Sequence, residues 1–180
     1  DQLQKHHICS VPYENLDILN GISPALFEES LFEKIVTNHR GGYCFEQNTL
    51  FCQLLNDLGF PTYGTVVRLL RPGAPLFPYS HKGLVAEAEG KQWYCDVGFG
   101  GPGPKGVVEI RNGEQVVGGV TFRGTIRSDD FLIERKTDDG WVETMYFAPA
   151  LIARSACSTL ITVPAPTNIS GNASAIALIA

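Results

Sequence analysis

In the stretch "CFEQNTLFCQLLNDLG", residues 44–59, the apolar positions Phe45, Leu50, Phe51, Leu54, Leu55 and Leu58 recur at largely helical spacing. The run stops at Gly59, just before Pro61, and it follows Gly41 and Gly42, which permit a tight turn or close backbone approach. The spacing predicts a helix with Cys44 at or near its N-terminus. The opening residues, "DQLQKHHICS", also read as helical. Further on the period changes to two. Residues 83–87 and 91–97 read as strands joined at Glu89-Gly90. Residues 107–147 alternate, with turn signals at Asn112-Gly113 and Asp139-Gly140, as consecutive antiparallel strands do. "LLRPGAPLFPYS" is a Pro-rich loop leading into His81, and no internal repeat is apparent.

The register of the first hairpin follows from its turn. With Glu89 and Gly90 as the two turn residues, Ala88 faces Lys91, Gly83 faces Asp96 and His81 faces Gly98. His81 and Asp96 are then diagonal neighbours on one face, with Cβ atoms about 7–8 Å apart or somewhat less. Gly83 adds no side chain to obstruct them. A turn at Gly90-Lys91 would separate the pair by roughly 13 Å along the strand, and a one-residue slip would put them on opposite faces. Chemical sense, and not turn propensity, selects the first register, since Glu is not ideal at positive φ. Asp96 also interrupts an otherwise apolar strand, where a buried carboxylate needs a partner; His81 or loop amides beside "GFGGPGP" would serve.

Composition narrows the functional classes. A chain of 180 residues with 44% hydrophobic and 18% charged residues can form one sizeable domain or two small lobes sharing a core. Its net charge of −5 and scattered Lys and Arg give no footprint for nucleic acid or an anionic membrane surface, so a small-molecule substrate is the default. No apolar run approaches the roughly 20 residues that span a bilayer, and no signal segment opens the chain. These features predict a soluble, cytoplasmic protein. Asp1 rather than Met opens an already helical stretch, which suggests a fragment.

Five cysteines in no CxxC or His/Cys grouping favour neither a disulfide framework nor a metal site, and reduced thiols fit best. Cys52 and Cys95 read as small buried hydrophobes, while Cys9 and Cys157 carry no signal. Cys44 differs because a helix N-terminus stabilises an anion. Position alone is weak, so a base is needed. His6 and His7 share a probable helix, His39 precedes the glycine turn, and His81 brings Asp96 with it. The order Cys44, His81, Asp96 suggests a relay in which imidazole takes the thiol proton and the carboxylate fixes its tautomer. Such a relay performs acyl transfer to or from sulfur, by a hydrolase or a transferase.

Four blocks, "VPYENLDI" (11–18), "RGGYCFEQN" (40–48), the His81 strand and "CDVGFGG" (95–101), resemble in order and spacing the arylamine N-acetyltransferases. The resemblance covers about residues 3–150. It implies an α+β, papain-like core: a helical bundle supplying the cysteine (1–60), then an antiparallel β-barrel supplying His and Asp (61–150), and usually a third α/β region. It implies ping-pong chemistry with acetyl-CoA as acyl donor and an arylamine, arylhydrazine or N-hydroxyarylamine as acceptor. The family's triad falls on Cys44, His81 and Asp96. Arg40 and Glu46 match positions that brace the catalytic turn by an ion pair. Phe99 matches an aromatic pocket residue, Phe45 sits beside the nucleophile, and Tyr79 and Ser80 match a region that contacts CoA or acceptor. Flat, weakly basic aryl acceptors suit such a pocket by stacking and burial.

The last residues, 151–180, depart from that pattern. They contain one charged residue, Arg154, and no acidic ones, and do not match the family's longer continuation, so the third region reads as truncated or diverged. The two sequons at Asn168 and Asn172 carry little weight without a sign of secretion. Two other readings stay open: a papain- or transglutaminase-like thiol hydrolase using the same relay, and a non-catalytic remnant that only binds ligand.

Overall fold

The computed structural model describes residues 1–128, 130–148 and 157. The other residues of the 151–180 segment, with its sequons, lie outside the described residues. The chain opens with helices α1 (Gln2–Ser10), α2 (Leu16–Leu19) and α3 (Glu28–Leu31), the last running into a π-helical segment, Phe32–Thr37. Helix α4 (Cys44–Asp57) starts at Cys44, and Leu58 caps its end, as the apolar spacing predicts.

Eight strands follow: β1 (Thr62–Leu69), β2 (His81–Ala88), β3 (Lys91–Cys95), β4 (Val108–Glu109), β5 (Gly113–Val117), β6 (Val120–Arg127), β7 (Asp130–Thr137) and β8 (Gly140–Phe147). They form one antiparallel sheet in the order β4-β3-β2-β1-β8-β7-β6-β5. The sheet curls until its edges meet. The Gln115 amide on β5 donates to the Glu109 carbonyl on β4 (3.0 Å) and accepts from the Glu109 N–H (2.8 Å), standing in for a strand pairing. Residues 107–147 thus supply much of a nearly closed barrel.

Two apolar cores meet at the β2–β3 hairpin. Inside the barrel lie Val85, Tyr94, Phe122, Phe131, Ile133 and Phe147. On the other side, Phe51 and Leu55 of α4 pack on Leu84, Ala86 and Cys95. A fully buried side chain of this kind contributes about 1.5–3 kcal/mol, so α4 is held on the hairpin chiefly by its apolar face. Residues 81–86 of β2 are buried on both faces for the same reason.

The hairpin register is the predicted one, with Leu84 opposite Cys95 and Ala88 opposite Lys91. Glu89 (φ 55°) and Gly90 (φ 71°) both adopt the left-handed conformation, as a tight two-residue hairpin turn requires. Glu89 takes it despite its side chain, because the pairing on both sides fixes the turn. The strand limits differ slightly from the alternation: β2 begins at His81, and β3 ends at Cys95. Beyond Cys95 the ladder gives way to side-chain bonds, since Val97 N–H donates to Asn48 Oδ1 (3.0 Å) and Gly98 N–H to Asp96 Oδ1 (3.0 Å).

One expectation is corrected. Cys52 is joined to Cys157 by a disulfide, whereas Cys9, Cys44 and Cys95 are free thiols. The partners stand 105 residues apart, so only the tertiary fold brings them together and no local spacing announces the bond. Among the described residues, no helix is long and apolar enough to cross a membrane.

Candidate active site

Cys44 is the first residue of α4, and its side of the turn is held from below by charge. Glu46, 1% exposed, accepts the Tyr43 N–H (3.0 Å) and the Lys34 ammonium (2.7 Å). Lys34 also donates to Asp17 (2.7 Å), and Arg40 donates to Glu14 (2.7 Å) and Asp17 (2.9 Å). Arg40 and Glu46 thus sit at opposite ends of one network, with Asp17 and Lys34 between them in place of the direct ion pair expected from the sequence. Burial opposes the charge on Lys34, but bonds to Asp17 and Glu46 outweigh it and raise its pKa. A carboxylate as buried as Glu46 requires such a partner.

The hairpin brings the other two groups to this helix start. His81 Nε2 lies 2.6 Å from Asp96 Oδ2, and both residues are almost fully buried. That leaves Nδ1 as the ring nitrogen free for the Cys44 thiol. Asp96 is held by more than His81. Tyr94 Oη donates to Oδ2 (2.8 Å), while Asn48 Nδ2 (2.9 Å) and Gly98 N–H (3.0 Å) donate to Oδ1. Burial pushes the Asp96 carboxyl up, but His81, Asn48 and Tyr94 together hold it below its ordinary value. Burial likewise disfavours a charged His81, yet the Asp96 charge and the bonds to Asp96 and Cys44 outweigh it and raise His81 from 6.5 to about 10. The pair is thus set to carry an imidazolium beside a carboxylate.

Two glycines make this approach possible. A Cβ on Gly83 would lie 2.6 Å from Tyr94 Oη, so the bare strand position opposite Asp96 is what admits the tyrosine that binds it. A Cβ on Gly98 would lie 2.6 Å from Cys44 Cα and 2.9 Å from Asn48 Nδ2. Any larger residue at Gly98 would push the hairpin off the turn that carries Cys44.

His81 opens onto a cavity of about 430 Å³, with Phe99 and Tyr13 in its wall. The Phe99 ring stands edge-on to the imidazole, centroids 5.4 Å apart. Phe45 packs against Tyr43 instead (5.6 Å) and is not in that wall. Tyr79 lies over the Arg68 guanidinium (4.5 Å) and against Tyr146, and Ser80 is exposed; neither lines the cavity. The sequence reading missed Asn48, Tyr94, Lys34 and Tyr13. Asn48 had a faint signal, a polar residue one turn after Cys44 on the buried face of α4.

Comparison with known proteins gives the same picture. An N-acetyltransferase family profile matches residues 1–155. The arylamine N-acetyltransferase of Escherichia coli is 43% identical over 100 residues, covering 55% of this chain and 36% of that protein. The solved arylamine N-acetyltransferase of Salmonella typhimurium superposes with a TM-score of 0.78 at 31% identity, covering 84% of this chain and 56% of that one. The Mycobacterium marinum enzyme in complex with CoA gives 0.77 at 29% identity, covering 85% and 59%. The chain thus spans between about a third and three fifths of these relatives. With the profile matching most of its length and the barrel and helices superposing on solved members, this chain belongs to the arylamine N-acetyltransferase family.

Proposed function

We propose that the protein transfers an acetyl group from acetyl-CoA to an arylamine or arylhydrazine through an acyl-cysteine on Cys44. One observation carries this reading: a buried His81–Asp96 pair at 2.6 Å beside the first residue of α4, in a chain of this family. The thiol proton rests on His81 Nδ1 as the imidazolium, and the Cys44 sulfur attacks the thioester carbonyl. The CoA thiolate departs and collects that proton from the imidazolium. The amine then attacks the acyl-cysteine, gives its proton to His81, and the proton returns to sulfur as the amide leaves. Asp96 keeps Nε2 protonated and stabilises the imidazolium in both halves. Phe99 would face the aryl acceptor, and Arg40 and Glu46 would hold the turn. In this division residues 1–60 supply the nucleophile and 61–150 the base. The cytoplasm, where acyl-CoA is made and used, is the compartment that accompanies it. Phe45, Tyr79 and Ser80 would then touch substrate only where it extends beyond the described cavity.

The test is release of CoA thiol from acetyl-CoA with and without an arylamine. Amine-dependent release with parallel double-reciprocal lines supports the transferase. Equal release without amine indicates a thiol hydrolase, and no release indicates a protein that binds without turnover.

A further inference from the structure

We propose that Lys82 is a positioning residue of the acyl-transfer site, its buried ammonium serving as the counter-ion of the Cys44 thiolate; this rests on the reading of Cys44 as the nucleophile. Lys82 is 5% exposed, the one buried lysine or arginine among the described residues, and it has no ion pair among them. The buried carboxylates do have one: Glu46 with Lys34, Asp96 with His81 and Glu134 with Arg123. Lys82 Nζ donates instead to two neutral oxygens, the Thr49 hydroxyl (2.6 Å) and the Cys157 carbonyl (2.7 Å). A buried ammonium that meets only neutral acceptors is destabilised. Burial lowers Lys82 from 10.5 to about 8, and the charge of Cys44 acts against that fall. That charge is the anion the fold brings to it.

Alternation along β2 puts His81 and Lys82 on opposite faces, and both faces are buried here. His81 meets Asp96, while Lys82 reaches Thr49 on the helix that Cys44 begins. With the thiol proton on His81, the site holds a thiolate, an imidazolium and the Asp96 carboxylate, one negative charge in excess. Lys82 cancels it. The other groups around these two residues leave that balance alone. Tyr13, Tyr43 and Tyr94 sense the Cys44 charge, but all three are raised above the ordinary tyrosine value and stay neutral up to pH 9. Glu46 is taken by Lys34. Toward β1, Lys82 meets Val66 in the register and Gly64 against its stem, neither of which titrates. Glu87, on the same strand, stands about 17 Å further along and on the opposite face.

The experiment reads the rate at which iodoacetamide alkylates Cys44, located by peptide mass spectrometry, from pH 4 to pH 9 in the full chain and in Lys82→Met, whose apolar side chain of similar length suits a buried position. The acid limb of the profile should lie about one pH unit higher in the variant, so that alkylation on that limb is about tenfold slower. The two profiles should converge toward pH 9, where Lys82 has itself lost its proton. Thr49→Val, which removes a bond of Lys82 and not its charge, should leave the limb in place. A limb that does not move in Lys82→Met, a rate lowered by the same factor at every pH, or an equal shift in Thr49→Val would overturn the proposal. The coupling is reciprocal, so the Lys82 ammonium, followed by NMR of isotope-labelled lysine, should titrate about one unit lower in Cys44→Ser than in the unmodified chain. An unchanged titration would overturn the proposal, and this arm decides it if Lys82→Met does not fold. If the unmodified protein transfers no acetyl group, the transferase reading fails while the two titrations still decide the role of Lys82.

Discussion

Asn48 Nδ2 lies 2.9 Å from Asp96 Oδ1, so the helix that begins at Cys44 is tied to the carboxylate that meets His81. The same amide donates to the Lys82 carbonyl (2.6 Å) and accepts the Val97 N–H (3.0 Å), spanning both strands of the hairpin. Asn48→Ala removes the side-chain acceptor of the Val97 N–H, the side-chain donor to the Lys82 carbonyl and one of the two donors to Asp96 Oδ1, which keeps the Gly98 N–H. The expected cost is about 3 kcal/mol of stability, read by urea unfolding, with kcat falling more than the donor KM rises because geometry rather than binding is lost. Unchanged kcat would mean that the two halves keep their alignment without it.

Tyr94→Phe removes a single donor from Asp96 and leaves the ring in place. Asp96 has a lowered pKa in the folded protein, so its contribution to stability is present above its unfolded value, near 3.8, and is lost as pH falls through the folded one. The variant should cost about 1–2 kcal/mol at neutral pH and progressively less in acid, where the carboxyl is protonated in both proteins. Unfolding free energies from pH 7 down through the titration of the folded carboxyl, below 3.8, check this; a difference that stays constant through that titration would contradict it.

These two residues also mark where the sequence stops being legible. A Glu89-Gly90 turn places His81 and Asp96 on one face, but the chemical sense of that pair, and not spacing alone, selects this turn over its alternatives. The start of α4 at Cys44 followed from apolar periodicity and the flanking glycines. The groups that hold Asp96 come from elsewhere: Asn48 lies 48 residues away, and the ring of Tyr94 fits only because Gly83 has no side chain. Lys34 could not be read either, since its role depends on a π-helical segment that no period announces. Phe45 shows how little sequence adjacency says about direction. Adjacency to the nucleophile suggested a pocket residue, but one step along a helix turns a side chain by about 100°, and Phe45 packs on Tyr43 instead.

Alkaline titration has a direction of its own. His81 is raised from 6.5 to about 10, so its contribution is complete below pH 6.5 and is lost as pH rises to about 10. Lys82 is lowered by burial from 10.5 to about 8, so it adds stability as pH climbs from 8 to 10.5. Unfolding free energy should therefore fall by up to about 1.4 kcal/mol per pH unit between 6.5 and 8 and flatten above 8, where the two oppose. Asp96→Asn, which removes the charge that raises His81, should abolish the fall; persistence of the slope would place its origin elsewhere.

The Cys52–Cys157 disulfide pins residue 157 beside α4, and the Cys157 carbonyl accepts the buried Lys82 ammonium (2.7 Å). Closing a loop of this length restricts the unfolded chain by about 4.7 kcal/mol at most. Reduction with dithiothreitol should lower the urea midpoint, and Cys52→Ser without reductant should match the reduced protein. Equal midpoints with and without reductant would show that the bond contributes nothing.

The central claim is that Cys44, activated by His81, carries the acyl group. Peptide mass spectrometry after brief mixing with acetyl-CoA tests it most directly. The account predicts one acetyl group on the peptide containing Cys44, removed on adding an arylamine and absent from His81→Gln. An unmodified Cys44, together with alkylation by iodoacetamide no faster than that of buried Cys95, would contradict it.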